Sequence, residues 1–258
     1  HIVATSVCVV GLVIAIYSMM RVDSSTFNNE TDPQNNPSTH PNIVDAFDLK
    51  GTSLPREELV IGNPFKDAIP TLTEPKYVTA EEADFLDDQD QVIGYEEEGQ
   101  ARAYPIKIMD WHEAVNDQLG NIPYVITYCP LCRSVAAFDR TTSYGRIQLG
   151  VSGFLYNSNV LLYDKTDQDS PGMISQMLGK GVSKRLQDIR LKRLPIELTT
   201  WQDWKSRYPE TEVLSTRTGH KRNYEKSAYE DYYAEEKLMY PVKNISPRYP
   251  QKSMVLGI

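Results

Sequence analysis

Two runs of β-forming residues, Tyr124-Val125-Ile126-Thr127-Tyr128 and Ser134-Val135-Ala136-Ala137-Phe138, are separated only by Cys129-Pro130-Leu131-Cys132-Arg133. Branched and aromatic side chains favour extended backbone, and a proline between such runs interrupts the ladder. The segment therefore predicts strand, tight turn, strand, with two thiols on one turn. The third cysteine, Cys8, lies in an apolar stretch far upstream. Any thiol chemistry of the soluble part rests on Cys129 and Cys132 as a pair.

At 258 residues the chain can bury one substantial core or two small ones. Its net charge is −8, with cations interleaved among acids. Phosphate binding needs a concentrated cationic face, so nucleic acid is not expected as a partner. Ile2 to Met20 is a run of 19 uncharged residues bounded by Arg21. As a helix it spans roughly 28 Å, close to the hydrocarbon thickness of a lipid bilayer. It is longer than the apolar part of a cleaved signal peptide, and no Ala-x-Ala follows. Residues 1–21 thus predict a single-pass transmembrane anchor, and residues 22–46 a polar linker. Residues 23–42 contain no Lys or Arg, which places the bulk of the chain on the extracytoplasmic (periplasmic or outer) side.

From Phe47 the apolar pattern resumes. Leu59-Val60-Ile61-Gly62 and Val92-Ile93-Gly94-Tyr95 read as short strands, and Glu98-Gly99 as a hairpin turn. Pro105 suits the first turn of a helix running to about Asn116, with Gly120 just past its end. Leu149 to Gly153 and Asn159 to Tyr163 extend the sheet. Trp201 to Tyr208 reads as a helix capped by Thr199 or Thr200. Met254-Val255-Leu256-Gly257-Ile258 echoes Gln91-Val92-Ile93-Gly94-Tyr95, as a last strand or the start of a second copy would. The fold expected is α+β: a single domain over residues 47–220 dominated by antiparallel β-sheet with a few short helices, on one N-terminal transmembrane helix. Residues 221–258, rich in irregularly spaced tyrosines, read as an extended arm over a surface.

The run from about Ile61 to Ser215 resembles the bacterial family known as domain of unknown function 3179. The residues that carry this are Lys66-Asp67-Ala68-Ile69-Pro70, Ala101-Arg102-Ala103-Tyr104-Pro105, Trp111-His112-Glu113 with Asn116-Asp117, and Thr127-Tyr128-Cys129-Pro130-Leu131-Cys132. Gly150-Val151-Ser152-Gly153, Tyr156-Asn157-Ser158, Tyr163-Asp164, Ser175-Gln176 and Trp201-Gln202-Asp203-Trp204 continue it in order. The resemblance implies a secreted or membrane-anchored domain whose motifs cluster around the cysteine pair. It supplies no activity. The chain departs from the family at Arg133, where glycine is usual, and at Gly172-Met173-Ile174, where Ser-Leu-Trp is usual.

Three uses of the pair remain open. Cys-Pro-x-Cys on a strand-turn-strand looks like the knuckle of rubredoxins and zinc ribbons, but a tetrathiolate site needs two knuckles and the chain has one. With His112 as third ligand, and Asp110, Glu113 or solvent as fourth, Cys129 and Cys132 make a chemically sensible site for zinc, or for copper outside the cytoplasm. As a dithiol, Cys-x-x-Cys often has a lowered thiolate pKa, which Arg133 would lower further. As a structural disulfide, Cys129–Cys132 closes too short a loop to stabilise much. On the predicted helix His112 shares a face with Ile108 and Val115, where histidine is as readily a hydrogen-bonded core residue as a ligand. Trp111, Trp201 and Trp204 read as core, and Asn116, Asp117, Asn157 and Asp164 as turn or cap residues.

No phosphate loop, Gly-x-Ser-x-Gly elbow, haem Cys-x-x-Cys-His or dinucleotide fingerprint is present. The leading reading is a membrane-anchored extracytoplasmic protein with a thiol or metal site at Cys129, Cys132 and His112. The alternative is a non-catalytic accessory subunit, packed on a larger membrane protein complex through its helix, linker and arm. Neither reading decides whether the chain is an enzyme.

Overall fold

The computed structural model describes residues 43–255. The expected anchor, and most of the expected linker, lie outside the described residues. No helix among those described is long and apolar enough to cross a membrane.

Sixteen short strands dominate the described residues. In chain order they begin with β1 (Leu59–Ile61), β2 (Tyr77–Thr79), β3 (Gln91–Glu97), β4 (Gln100–Pro105), β5 (Ala114–Leu119) and β6 (Ile122–Cys129). There follow β7 (Ser134–Asp139), β8 (Thr141–Thr142), β9 (Gly145–Arg146), β10 (Leu149–Tyr156) and β11 (Asn159–Asp164). The last are β12 (Met173–Ser175), β13 (Lys180–Gly181), β14 (Arg193–Leu194), β15 (Glu197–Thr200) and β16 (Glu212–Leu214). Four helices are brief: α1 (Ile43–Ala46), α2 (Ile106–His112), α3 (Trp201–Arg207) and α4 (Glu230–Ala234).

The strands form three principal sheets, in the orders β1-β10-β11-β12-β13, β14-β7-β6-β5 and β15-β3-β4-β16-β2. The pairing of β16 with β4 is parallel and the other strand pairs are antiparallel. The β14-β7-β6-β5 sheet is central. Along β6 the side chains alternate between its two faces: Val125 and Cys129 join the core shared with β10, β11 and β12, whereas Tyr124, Ile126 and Tyr128 join the core shared with β3, β4 and α2. Successive residues of a strand point to opposite faces, so a strand covered on both sides must be apolar at nearly every position. That is why Tyr124 to Tyr128 lacks polar alternation. Two outer cores complete the layers, one holding Trp201 and Trp204 of α3. The other holds Ile43, Phe47 and Phe154, so the helix at the end of the expected linker packs as core.

Several local readings hold. Cys129 ends β6, Ser134 opens β7 opposite it, and the loop between them is the predicted turn. Thr200 caps α3 by accepting a hydrogen bond from the Asp203 amide. Two readings are corrected. The helix after Pro105 ends at His112, because Glu113 takes a left-handed conformation (φ 56°) and Ala114–Leu119 then pairs with Ile122–Cys129. Gly120 belongs to that hairpin, and Val115 shares no helical face with Ile108 and His112. Leu149–Gly153 and Asn159–Tyr163 do not extend the sheet of the cysteine hairpin either; they build the sheet that faces it. Met254 and Val255 are exposed and outside any strand, and the rest of that echo lies outside the described residues.

Asn116 and Asp117, read from sequence as turn residues, sit inside β5 and are buried. Asp117 accepts hydrogen bonds from the hydroxyls of Tyr77, Tyr104 (2.5 Å) and Tyr124 (2.8 Å) and a salt bridge from Arg102 (2.9 Å). It ties the central sheet to β2 and β4. Asn116 ties it to the other side: Oδ1 accepts from the Leu149 amide (2.7 Å) and Nδ2 donates to the Leu149 carbonyl (2.8 Å). Asn116→Ala leaves both Leu149 groups buried without partners and is expected to cost about 3 kcal/mol. A fall in the urea midpoint at unchanged slope checks this.

Candidate thiol site

The cysteine loop sits where β6, β7, the β10–β11 hairpin and the tyrosine-rich arm converge. Its backbone is tight. Pro130 to Arg133 spans the turn, and Arg133 takes a left-handed conformation (φ 49°) to enter β7. The facing hairpin turns on Asn157 and Ser158, both left-handed (φ 49° and 60°), which brings Ser158 and Asn159 against the thiols.

Cys129 and Cys132 approach to 3.4 Å and are free thiols. They are not equivalent. Cys129 is 1% exposed and lies 3.8 Å from the Ser158 carbonyl, whereas Cys132 is partly exposed. The Cys132 sulfur lies 3.1 Å from Ser134 Oγ and accepts from Asn159 Nδ2 at 3.3 Å. Hydrogen bonding from the Cys129 thiol, then from Ser134 and Asn159, brings its pKa down to about 6. Burial and the neighbouring Cys132 push the Cys129 thiol well up. One sulfur of the pair is thus a thiolate at neutral pH and the other keeps the proton.

Hydrogen bonds lead this lowering, and Arg133 is not among its largest causes. Its guanidinium lies over the Tyr233 ring, 4.4 Å from the centroid. Those donors are themselves fixed. Gln176 Oε1 accepts from Asn159 Nδ2 (2.7 Å) and competes with the Cys132 sulfur for the single Ser134 hydroxyl proton (2.9 Å), while Gln176 Nε2 donates to Thr127 Oγ1 (3.0 Å). Gln176 is fully buried, so its amide has no solvent alternative to these partners.

The His112 ring is bonded to partners other than the cysteines. Its Nδ1 lies 2.7 Å from the Pro70 carbonyl and its Nε2 2.7 Å from the Tyr224 hydroxyl. Both ring nitrogens are engaged, and burial lowers its pKa to about 3, so the ring is neutral. Asp110 turns to Ser227 (2.5 Å) and Tyr233 (3.1 Å). Among the described residues no group of three or more His, Cys, Asp and Glu is placed to hold a metal ion.

Glu113 is the carboxyl that the fold brings toward the thiols. Its carbonyl accepts the Tyr128 amide (2.8 Å), one residue from Cys129, and its carboxyl accepts the Tyr229 hydroxyl (2.8 Å). Complete burial raises its pKa to about 8, with Asp110 and Cys132 adding to the rise. It is an uncharged acid at neutral pH, beside a thiolate.

The arm closes the site. Tyr232 donates to the Leu131 carbonyl of the cysteine loop (2.8 Å), and Ser158 Oγ donates to the Tyr240 carbonyl (3.1 Å). Sequence reasoning missed Ser134, Asn159 and the arm tyrosines 229, 232 and 233 as site residues. Ser134 had a signal, two residues from Cys132 at a strand start; the others come from segments far apart in the chain.

The Cys132 thiolate absorbs in the far ultraviolet, and its titration is expected to have a midpoint near pH 6. The thiolate is present above that pH and lost as pH falls through it. Asn159→Ala removes a donor and moves the midpoint up, toward the free-thiol value of roughly 8.5. An unmoved midpoint would remove Asn159 from this role.

Residues 66–258 match the family described as protein of unknown function (DUF3179), a match that runs on past Ser215 through the arm. No curated protein and no solved structure matches the chain. With three quarters of its length covered by the family's pattern, the chain belongs to the DUF3179 family.

Proposed function

We propose that this chain is a membrane-tethered dithiol protein that exchanges disulfides at Cys132, with Cys129 as the second thiol. The observation that carries this reading is the asymmetry of the pair: a partly exposed, hydrogen-bonded thiolate 3.4 Å from a buried thiol. Attack requires a thiolate with access, and resolution requires a second sulfur already in reach. Cys132 meets the first condition and Cys129 the second. In thioredoxin-like proteins the pair sits at a helix N-terminus; here side-chain and turn donors take the place of the helix, because a strand follows.

The steps balance without a metal. The Cys132 thiolate attacks one sulfur of a substrate disulfide, that S–S bond breaks, and one substrate thiolate leaves. Cys129 then attacks the Cys132 sulfur, its proton leaving with the second substrate thiol. The product is a Cys129–Cys132 disulfide, so the structural bridge considered from sequence becomes the oxidised state of the same site. Glu113, a buried acid by the pair, is placed to hold a proton during the second step.

The tether rests on the uncharged Ile2–Met20 run and the linker without Lys or Arg. It is tested by fractionation: the chain is expected in the membrane pellet, released by detergent and not by salt, and salt release would remove the anchor. The exchange is tested by intact-mass analysis after treatment with an organic disulfide. Cys129→Ser is expected to hold a stable mixed disulfide at Cys132, whereas Cys132→Ser forms none there and reacts at least tenfold more slowly overall. Equal reactivity of the two variants would sink the assignment of Cys132 as the attacking sulfur.

A further inference from the structure

A cavity of about 390 Å³ has Cys132 among its lining residues. Its floor is Leu131, Cys132 and Arg133, and one wall is Tyr232 and Tyr233. The opposite wall is the arm between Leu238 and Val255, with Val242, Ile245 and Tyr249 among its lining residues. That volume is in the range of small-molecule sites and too small for a folded partner's surface.

The charge of the cavity is unusual for this chain. The protein carries 35 acidic residues against 27 basic ones, yet among the described residues no Asp or Glu lines this space. Its two charged side chains other than the thiolate are cations, Arg133 and Lys252. Lys252 is committed to the protein: its ammonium donates to the carbonyls of Tyr232 and Glu235. Arg133 is exposed and forms no salt bridge among the described residues. It is held over the Tyr233 ring, hydrogen-bonds the Tyr128 hydroxyl and is attracted by Asp110, partners that take up only part of its five N–H donors. The ring's hydroxyl is fixed in turn by Asp110.

Arg133 also sits where its own backbone is costly. A residue with a β-carbon in the left-handed region is strained, and glycine would relieve this. The guanidinium keeps N–H donors with which to pair an anion that enters the cavity.

We propose that the Cys132 cavity takes a small organic disulfide bearing a carboxylate, with a sulfur at Cys132, the carboxylate at Arg133 and its apolar body against Tyr232 and Tyr233. This rests on the exchange reading above. The small disulfide is reduced by two electrons from the dithiol: its S–S bond breaks, one half leaves as a thiolate on attack by Cys132, and the other leaves as a thiol when Cys129 closes the protein disulfide.

The test uses the full reduced chain and two chromogenic aromatic disulfides of similar size, 5,5′-dithiobis(2-nitrobenzoate), which is anionic, and 4,4′-dithiodipyridine, which is neutral. Stopped-flow absorbance gives the rate of the phase that is absent in Cys132→Ser. The ratio of anionic to neutral rates is compared with the same ratio for N-acetylcysteine. The wild type is expected to exceed the free-thiol ratio by about tenfold, with the excess falling as salt is raised. Arg133→Gly removes the charge and the backbone strain together, so folding is not at risk, and is expected to bring the ratio down to the free-thiol value. Arg133→Lys keeps the charge and is expected to keep most of the excess. A wild-type ratio equal to that of the free thiol, or an excess that survives Arg133→Gly, overturns the proposal while leaving the exchange reading intact. No Cys132 phase with either reagent overturns both.

Discussion

The central hairpin is buried on both faces, and the rest of the molecule follows from how that burial is satisfied. Val125 and Cys129 meet one core while Tyr124, Ile126 and Tyr128 meet the other. Polar groups in such a sheet have no water, so each needs a protein partner. Asp117 gathers three tyrosine hydroxyls and an arginine; Asn116 holds the Leu149 backbone; Thr127 accepts from Gln176. These bonds fix the separation and register of the layers. They also place a ready-made set of donors at the end of the hairpin where the cysteines lie.

The chemistry of the site is a product of that placement. Two thiols on one turn begin with the same intrinsic acidity. One faces the core and loses solvation; the other faces Ser134, Asn159 and the cavity. Desolvation disfavours an anion and hydrogen bonding favours it, so the same four-residue motif yields a protonated sulfur and a thiolate. The left-handed Glu113 contributes from the other side. By ending α2 and beginning β5 in one residue, it puts a buried carboxyl one backbone bond away from the cysteine strand.

The failures of the sequence reading have a common origin. Ala114-Val115-Asn116-Asp117 carries no decisive local preference, and continuing the helix past His112 is as reasonable locally as stopping it. Pairing with β6 decides the matter, and no local pattern encodes a partner strand. For the same reason Asn116 and Asp117, whose type suits turns, are buried strand residues. The readings that held are those fixed within a few residues: the cysteine turn, the Thr200 cap, the short strands around Gly62 and Gly94, and the tyrosines packed against the fold.

The sequence by itself determined the strand-rich character, the family, the two-thiol turn and the uncharged run ahead of the fold. Each is written in contiguous residues through period, propensity or motif. The tertiary structure decided which sheet each strand joins, which cysteine ionises, that His112 bonds Pro70 and Tyr224, and that a cavity lined by Arg133 and Lys252 lies beside Cys132. Those outcomes depend on groups distant in the chain meeting at hydrogen-bond range, where burial and direction set the energy; residue order carries neither.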